Sequence, residues 1–210
     1  MNAGFSNLAT LKKQLLANSI KTDLRFDDII SQIGQGTASM FERLCNRPLG
    51  YMAGEVETFR ADYCEFVLRR TPVYAVTAWQ VKHTEAKGWQ PRDISWIRSI
   101  DLANGIVNPS DHDVGPWFAQ VQFTYNGGYF WEQLEPKDPG YPSAVPAGVH
   151  ALPADLLNAW FLQCRHVWAY LDKLGTDLLT AGKATSIRFP EDFAPTVETV
   201  IANHRRYKLV

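Results

Sequence analysis

Five histidines are the residues best suited to acid–base chemistry or metal binding in this 210-residue chain: His83, His112, His150, His166 and His204. In the triplet Asp111-His112-Asp113 a histidine lies directly between two acids. Cys164 and His166 are two residues apart, so on a helix their side chains would point in different directions. A metal site needs three or four convergent ligands. We therefore interpret residues 111–113 as a polar turn before Pro116. A small metal-dependent hydrolase using Asp111, His112 and Asp113 is the less favoured alternative.

The glycine pair in "QVQFTYNGGYF" (residues 120–130) is the second place where chemistry could occur, because glycines beside a strand can cradle a phosphate. A cradle also requires a helix N-terminus with free N–H groups. Here Tyr129, Phe130 and Trp131 follow, and then prolines. The sequence contains no P-loop, G-x-S-x-G or H-E-x-x-H motif. We predict a strand-ending turn that launches an aromatic loop, with no catalytic residue, cofactor or metal.

Composition narrows the class of protein. The chain is 46% apolar and 20% charged, which is typical of a globular protein. It has no apolar run of the roughly 20 residues that a membrane span requires, and its start lacks the layout of a signal peptide. Cys45, Cys64 and Cys164 are too scattered for a disulfide framework or a zinc site, which favours a reducing cytoplasm. A net charge of −1 predicts no surface for non-specific nucleic-acid binding.

Helical periodicity marks both ends of the chain. Ser6 or Asn7 is placed to cap a short first helix, and a second helix starts at Asp27 and Asp28 and ends at residues 46–48 before a proline. A long helix follows Pro153, with Gly175 placed to cap its end, and a short helix follows Pro190. We predict that the long helix packs on the second one. The packing residues are expected to be Leu157, Phe161, Cys164, Trp168 and Leu171 against Ile29, Ile33, Met40 and Phe41.

The middle of the chain has the two-residue period of strands. Residues 55–125 are rich in β-branched and aromatic residues, with a turn at Asn104-Gly105. Residues 126–152 form a Pro-rich loop. The predicted fold class is α+β: a helical bundle (residues 6–47 and 153–204, two N-terminal and one or two C-terminal helices) with an antiparallel β-sheet or hairpin module inserted between them. We expect a single domain over residues 1–210.

Two segments carry apolar side chains that a solvated loop would lack. Trp131 and Tyr141 lie in the Pro-rich loop, where they either fold back on their own domain or pack on a neighbour. The tail, residues 205–210, combines basic and apolar residues, and we expect it to be disordered in the free subunit. The candidate contact residues are Tyr129, Phe130, Trp131, Tyr141, Arg205, Arg206, Tyr207, Lys208, Leu209 and Val210.

The order of these elements resembles the head–tail connector (head-completion adaptor) family of tailed bacteriophages. The matching segments are "LATLKKQLL", "DDIISQIGQGTASMFERLCNRPL", "LRRTPVYAVTAWQV", "NGIVNP" followed by "VQFTYNGGY", and "LPADLLNAWFLQCRHVWAYLDKLG". They span roughly residues 8–175. "TYNGGY" followed by a "P-x-x-L-x-x-A" helix start is the most characteristic part.

The resemblance implies a non-enzymatic structural protein of the virion neck, made in the host cytoplasm. It implies a homo-oligomeric ring, dodecameric in the family, that binds beneath the portal protein, extends the DNA channel and presents a platform for tail proteins. DNA would pass without sequence-specific binding. Another neck or tail-completion protein is the alternative within the same class. The excursion at residues 82–100, the Pro-rich loop and the C-terminal segment depart from compact members of the family.

Overall fold

The protein is α+β, as predicted, with four helices and two antiparallel sheets in the part of the chain that the structure describes. The structure is a computed structural model that describes residues 7–15, 26–61, 65–110, 120–181 and 193–206, with the backbone alone at residues 85 and 171–181. The helices are α1 (Leu8–Leu15), α2 (Asp27–Leu44), α3 (Ala154–Ala181) and α4 (Pro195–His204). The strands are β1 (Met52–Arg60), β2 (Phe66–Val67), β3 (Val73–Lys82), β4 (Gln90–Arg92), β5 (Ile97–Asp101), β6 (Ile106–Pro109) and β7 (Gln120–Gly127).

The chain forms two compact units. A helical unit contains residues 1–47, 131–144 and 152–210, and a β unit contains residues 48–130 and 145–151. The predicted Pro-rich loop is therefore divided, because residues 131–144 belong to the helical unit, whereas residues 126–130 and 145–151 belong to the β unit.

Helix α2 begins and ends where local chemistry predicts. Asp27 and Asp28 lie in its first turn, where carboxylates favour the positive end of the helix dipole. At the other end Asn46 adopts a left-handed φ of 55°. The N–H of Asn46 donates to the Arg43 carbonyl (3.2 Å) and that of Arg47 to the Glu42 carbonyl (3.1 Å). These two bonds form a Schellman motif, which satisfies carbonyls that the helix leaves open.

Helix α3 buries a different face from the one predicted. Its buried residues are Leu156, Ala159, Trp160, Gln163, Cys164 and Val167, whereas Leu157, Phe161 and Trp168 are only half-buried. Trp160 is fully buried, and its indole N–H donates to the Gly34 carbonyl of α2 (3.2 Å). Of the predicted stripe, Cys164 lies in the core, and the side chain of Leu171 lies outside the described residues. The helix also continues through Gly175 to Ala181, so the predicted cap at Gly175 is wrong.

Helix α2 likewise buries only part of its predicted stripe. Ile33 and Phe41 are in the core, together with Ile30, but Ile29 is 39% exposed and Met40 is half-buried.

Helix α3 packs against α1, α2 and α4. Asn7 caps α1, as predicted, because its Oδ1 accepts from the Thr10 N–H (3.0 Å).

The β unit contains a four-stranded sheet in the order β1-β7-β3-β4 and a three-stranded sheet in the order β2-β6-β5. Strand β7 alternates between half-buried and buried residues along its whole length, which is the expected pattern for a strand with one face on a core. Phe66, Trp79 and Phe123 form the centre of that core, with Phe66 and Phe123 at a centroid distance of 5.4 Å. The Asn104-Gly105 turn joins β5 to β6, as predicted, with Gly105 at a φ of 66°.

Candidate interaction surfaces

The glycine pair permits a close approach of three backbone segments. A Cβ atom on Gly127 would lie 2.5 Å from the Arg70 carbonyl oxygen, and one on Gly128 would lie 2.5 Å from the Gly50 carbonyl oxygen. The N–H of Gly128 donates to the Pro72 carbonyl (2.9 Å), and the N–H of Tyr129 donates to the Leu49 carbonyl (2.8 Å). These N–H groups are committed to backbone acceptors. The geometry therefore does not form a phosphate cradle, in agreement with the sequence-based interpretation.

Next to this junction lies a buried polar network that fixes the end of the sheet. The Tyr125 hydroxyl accepts from the Arg70 N–H (3.1 Å) and donates to Glu57 (2.6 Å). Burial raises the pKa of Glu57, although the Tyr125 hydroxyl and the Arg69 N–H oppose the shift. Burial and the bond to Glu57 also raise the pKa of Tyr125, so the phenol remains a donor. The network is structural, because each group satisfies a partner within the β unit.

The middle part of the Pro-rich segment, residues 131–144, is held in place by two carboxylates. Glu135 accepts from the N–H groups of Leu8 (2.6 Å) and Ala9 (2.9 Å), which places a negative charge at the N-terminus of α1. Glu132 closes the segment on itself, accepting from the N–H of Leu134 (3.0 Å) and from the N–H and hydroxyl of Ser143. Desolvation would raise the pKa of Glu132, but these bonds lower it below the ordinary value. The segment has a defined shape.

The four aromatic contact candidates occupy different environments. In the β unit, Tyr129 and Phe130 are half-buried; the Tyr129 carbonyl accepts from the Tyr51 N–H, and the Phe130 N–H donates to the His150 carbonyl, both at 2.8 Å. In the helical unit, Trp131 packs edge-on against Trp160 at a centroid distance of 5.9 Å, so its ring takes the folded-back alternative. Tyr141 remains 43% exposed. Of the four, Tyr141 presents the most accessible ring to a partner.

Arg205 and Arg206, the first two residues of the C-terminal tail, make backbone hydrogen bonds within the helical unit, which corrects the expectation of disorder at these two positions. The Arg206 N–H donates to the Cys45 carbonyl (2.9 Å), and the Asn46 amide donates to the Arg206 carbonyl (3.2 Å). Arg206 is thus held on the Schellman end of α2, and the Arg205 N–H donates to the Ala202 carbonyl of α4 (3.3 Å). Tyr207, Lys208, Leu209 and Val210 lie outside the described residues.

A groove of about 510 Å³ runs between α2 and α4 in the helical unit. It was not anticipated from the sequence, because its walls come from segments more than 140 positions apart. Phe193 packs on the buried Phe41 at a centroid distance of 6.3 Å, which positions one wall. The lining residues are Met40, Arg43, Leu44, Phe193, Glu198, Ile201, Ala202 and Arg205. Apolar side chains and charged groups of both signs thus contribute to one concave surface.

The histidines are dispersed, and the described residues contain no group of three or more His, Cys, Asp or Glu side chains that could hold a metal ion. Asp111, His112 and Asp113 lie outside the described residues. His204 donates from Nε2 to Asp155 Oδ2 (2.7 Å), which joins the end of α4 to the first turn of α3. Partial burial alone would raise the pKa of Asp155, but the hydrogen bond and charge of His204, together with the Leu156 N–H, lower that pKa.

In the described part of the chain no helix is long and apolar enough to cross a membrane.

The fold is shared with proteins of phage-like particles. A chain from the neck of an empty gene transfer agent (GTA) particle, computed with C6 symmetry, superposes with a TM-score of 0.58 at 16% identity, over 98% of this chain and 92% of that one. A chain from the virion of the native GTA particle gives a TM-score of 0.57 at 15% identity, with the same coverage. A chain from the native GTA neck, computed with C12 symmetry, gives 0.51 at 16% identity over 97% and 90%.

These similarities confirm the resemblance to head–tail connector proteins at the level of the fold. No family model matches the sequence. A comparison with curated proteins gave no match.

Proposed function

We propose that this chain is a structural adaptor of the neck of a phage-like virion, forming a ring under the portal that extends the DNA channel and receives the tail. The observation that carries the proposal is the shared fold, which covers nearly all of this chain and at least 90% of each neck or virion chain compared. The neck structures were computed with C6 or C12 symmetry, which supports a ring of subunits, and we propose twelve.

Two physical features support this role. A head-to-tail ring requires two different surfaces on each subunit, complementary to each other. We propose that the exposed tip of residues 131–144 and the α2–α4 groove serve as these two surfaces. A channel through which DNA slides must also avoid tight phosphate binding, which agrees with the net charge of −1.

We further propose that the tail contributes to portal binding. Arg205 and Arg206 fix the point at which the tail leaves the helical unit, and Tyr207, Leu209 and Val210 supply apolar anchors beyond it. Twelve weak tails acting together would give high avidity without any single tight contact.

The test is to mix the purified chain with its cognate portal protein and measure the mass of the complex. We expect a portal complex carrying a ring of this chain. Deletion of residues 207–210 should leave the fold unchanged and weaken portal binding. A truncated chain that binds portal at full strength would refute the role of the tail. A chain that binds tail proteins and not portal would instead be a tail-completion protein.

A further inference from the structure

We propose that Tyr141 of one subunit inserts into the α2–α4 groove of a neighbouring copy of this chain. The inference rests on the proposed ring, and it names two surfaces through which the ring closes. Both surfaces belong to the helical unit, so every copy of the chain carries both. Their opposite net charges identify a second copy of this chain as the occupant of the groove.

Tyr141 has the properties of a preorganised anchor. Its ring is 43% exposed, although the segment around it is fixed. The Tyr141 N–H donates to the Asp138 carbonyl (3.2 Å), and the Asp138 carboxylate accepts from the Glu135 N–H (2.8 Å). Because the backbone is already ordered, insertion of the ring would cost little further conformational entropy. Tyrosine is also among the residues that most often dominate the energetics of interfaces.

The groove has the size and lining that a tyrosine side chain requires. Its volume of about 510 Å³ lies within the range of ligand pockets, roughly 300–1,000 Å³. Met40, Leu44 and Ile201 offer apolar surface for the ring, and Phe193 offers an aromatic face. The charged side chains that line the groove, Arg43, Glu198 and Arg205, can form hydrogen bonds with the phenol hydroxyl.

The charges of the two surfaces are complementary. Residues 131–144 carry three acids, Glu132, Glu135 and Asp138, against one lysine. The groove carries two arginines against one glutamate. Opposite net charges steer the two surfaces together and disfavour the pairing of two like surfaces. The contact is therefore heterologous, which is the type that closes a ring.

Cysteine cross-linking tests the inference in the full chain, alone and in the portal complex. The background is Cys64→Ser, because Cys45 and Cys164 are fully buried and burial raises the pKa of their thiols to about 11 and about 12. Tyr141→Cys is combined with Ala202→Cys, whose side chain lines the groove and is exposed. On oxidation we expect a ladder of covalent multimers extending beyond dimers. The matched control replaces Tyr141→Cys by Tyr170→Cys, because Tyr170 is also 43% exposed. We expect no ladder from that pair.

Each other outcome counts against the inference in a distinguishable way. A chain that forms rings but gives no ladder refutes the groove contact and leaves the proposed function standing. A cross-linked monomer would mean that the segment fills the groove of its own chain. Failure to assemble, alone or with portal, would refute the proposed function and the inference with it. Circular dichroism of each variant verifies that these surface substitutions leave the fold intact.

Discussion

Gly128→Ala should destabilise the β unit through two separate effects. Gly128 has a φ of +94°, which L residues rarely adopt, and a Cβ atom there would lie 2.5 Å from the Gly50 carbonyl oxygen and 2.8 Å from its carbonyl carbon. The left-handed backbone costs an alanine roughly 1–2 kcal/mol. Overpacking against a neighbour costs typically about 1–3 kcal/mol more, and here the neighbour is backbone that cannot rotate away. Alanine also reduces the conformational entropy of the unfolded chain, which offsets roughly 0.4–1 kcal/mol of this destabilisation.

These contributions give a net loss of about 1–5 kcal/mol in the free energy of unfolding. Gly54→Ala is the matched control, because Gly54 has a φ of +68° but nothing within 4 Å of its Cβ position. It should cost at most about 1.6 kcal/mol, since the steric contribution is missing. Gly36→Ala, in the middle of α2 with open space around it, should stabilise its helix by up to about 1 kcal/mol.

The assay is urea unfolding followed by tryptophan fluorescence and circular dichroism, with two transitions allowed for in the fit because the chain has two compact units. Gly128→Ala should lower the midpoint of the β-unit transition well below that of Gly54→Ala. Equal midpoints for the two variants would show that the close approach to Gly50 has no energetic consequence. The interpretation of the glycine pair would then be wrong.

Three further predictions concern the helical unit. Trp160→Ala should lower the free energy of unfolding by about 3–5 kcal/mol, clearly more than Trp168→Ala, because Trp160 is fully buried and Trp168 is half-buried. Urea midpoints in the reverse order would contradict the assignment of the buried face of α3. Cys45 and Cys164 should resist alkylation at pH 8 until the protein unfolds, since burial raises the pKa of both thiols; rapid modification of either in the native state, read by peptide mass, would contradict their placement. The pKa of Asp155 is lowered in the folded state, so its contribution to stability is present above about pH 4 and is lost as the pH falls through the folded value. The Asp155→Asn variant should therefore lose less stability than the wild type between pH 5 and pH 3. Identical pH profiles of stability for the two proteins would contradict the contribution assigned to Asp155.

Helix ends and turns could be predicted from the sequence where a few adjacent residues specify them. The end of α2 just before residues 46–48 follows from an asparagine that tolerates a left-handed φ and a proline that excludes helical geometry before it. The Asn7 cap and the Asn104-Gly105 turn were found for the same reason. Gly175 failed as a cap because a glycine within a helix costs only about 1 kcal/mol, which the rest of α3 outweighs.

The buried face of α3 could not be predicted, because the helix carries large apolar side chains on more than one side. Leu156 and Leu157 are adjacent, as are Trp160 and Phe161, so the periodicity permits two stripes. The hydrogen bond from Trp160 to Gly34 belongs to the stripe that the structure buries. That choice depends on a helix more than 120 positions away, which no window of the sequence contains.

The sequence by itself determined the α+β class, the order of helices and strands, and the end of β7 at the glycine pair. These features depend on periodicity and turn chemistry, which act over a few residues. Only the tertiary structure decided why the pair is glycine, because the atoms that exclude a side chain there belong to Gly50 and Arg70. It also decided that Trp131 packs inside the helical unit while Tyr141 stays exposed, and that α2 and α4 enclose a groove. Such surfaces arise from the packing of segments distant in the chain, and packing is a property of three-dimensional neighbours rather than of sequence neighbours.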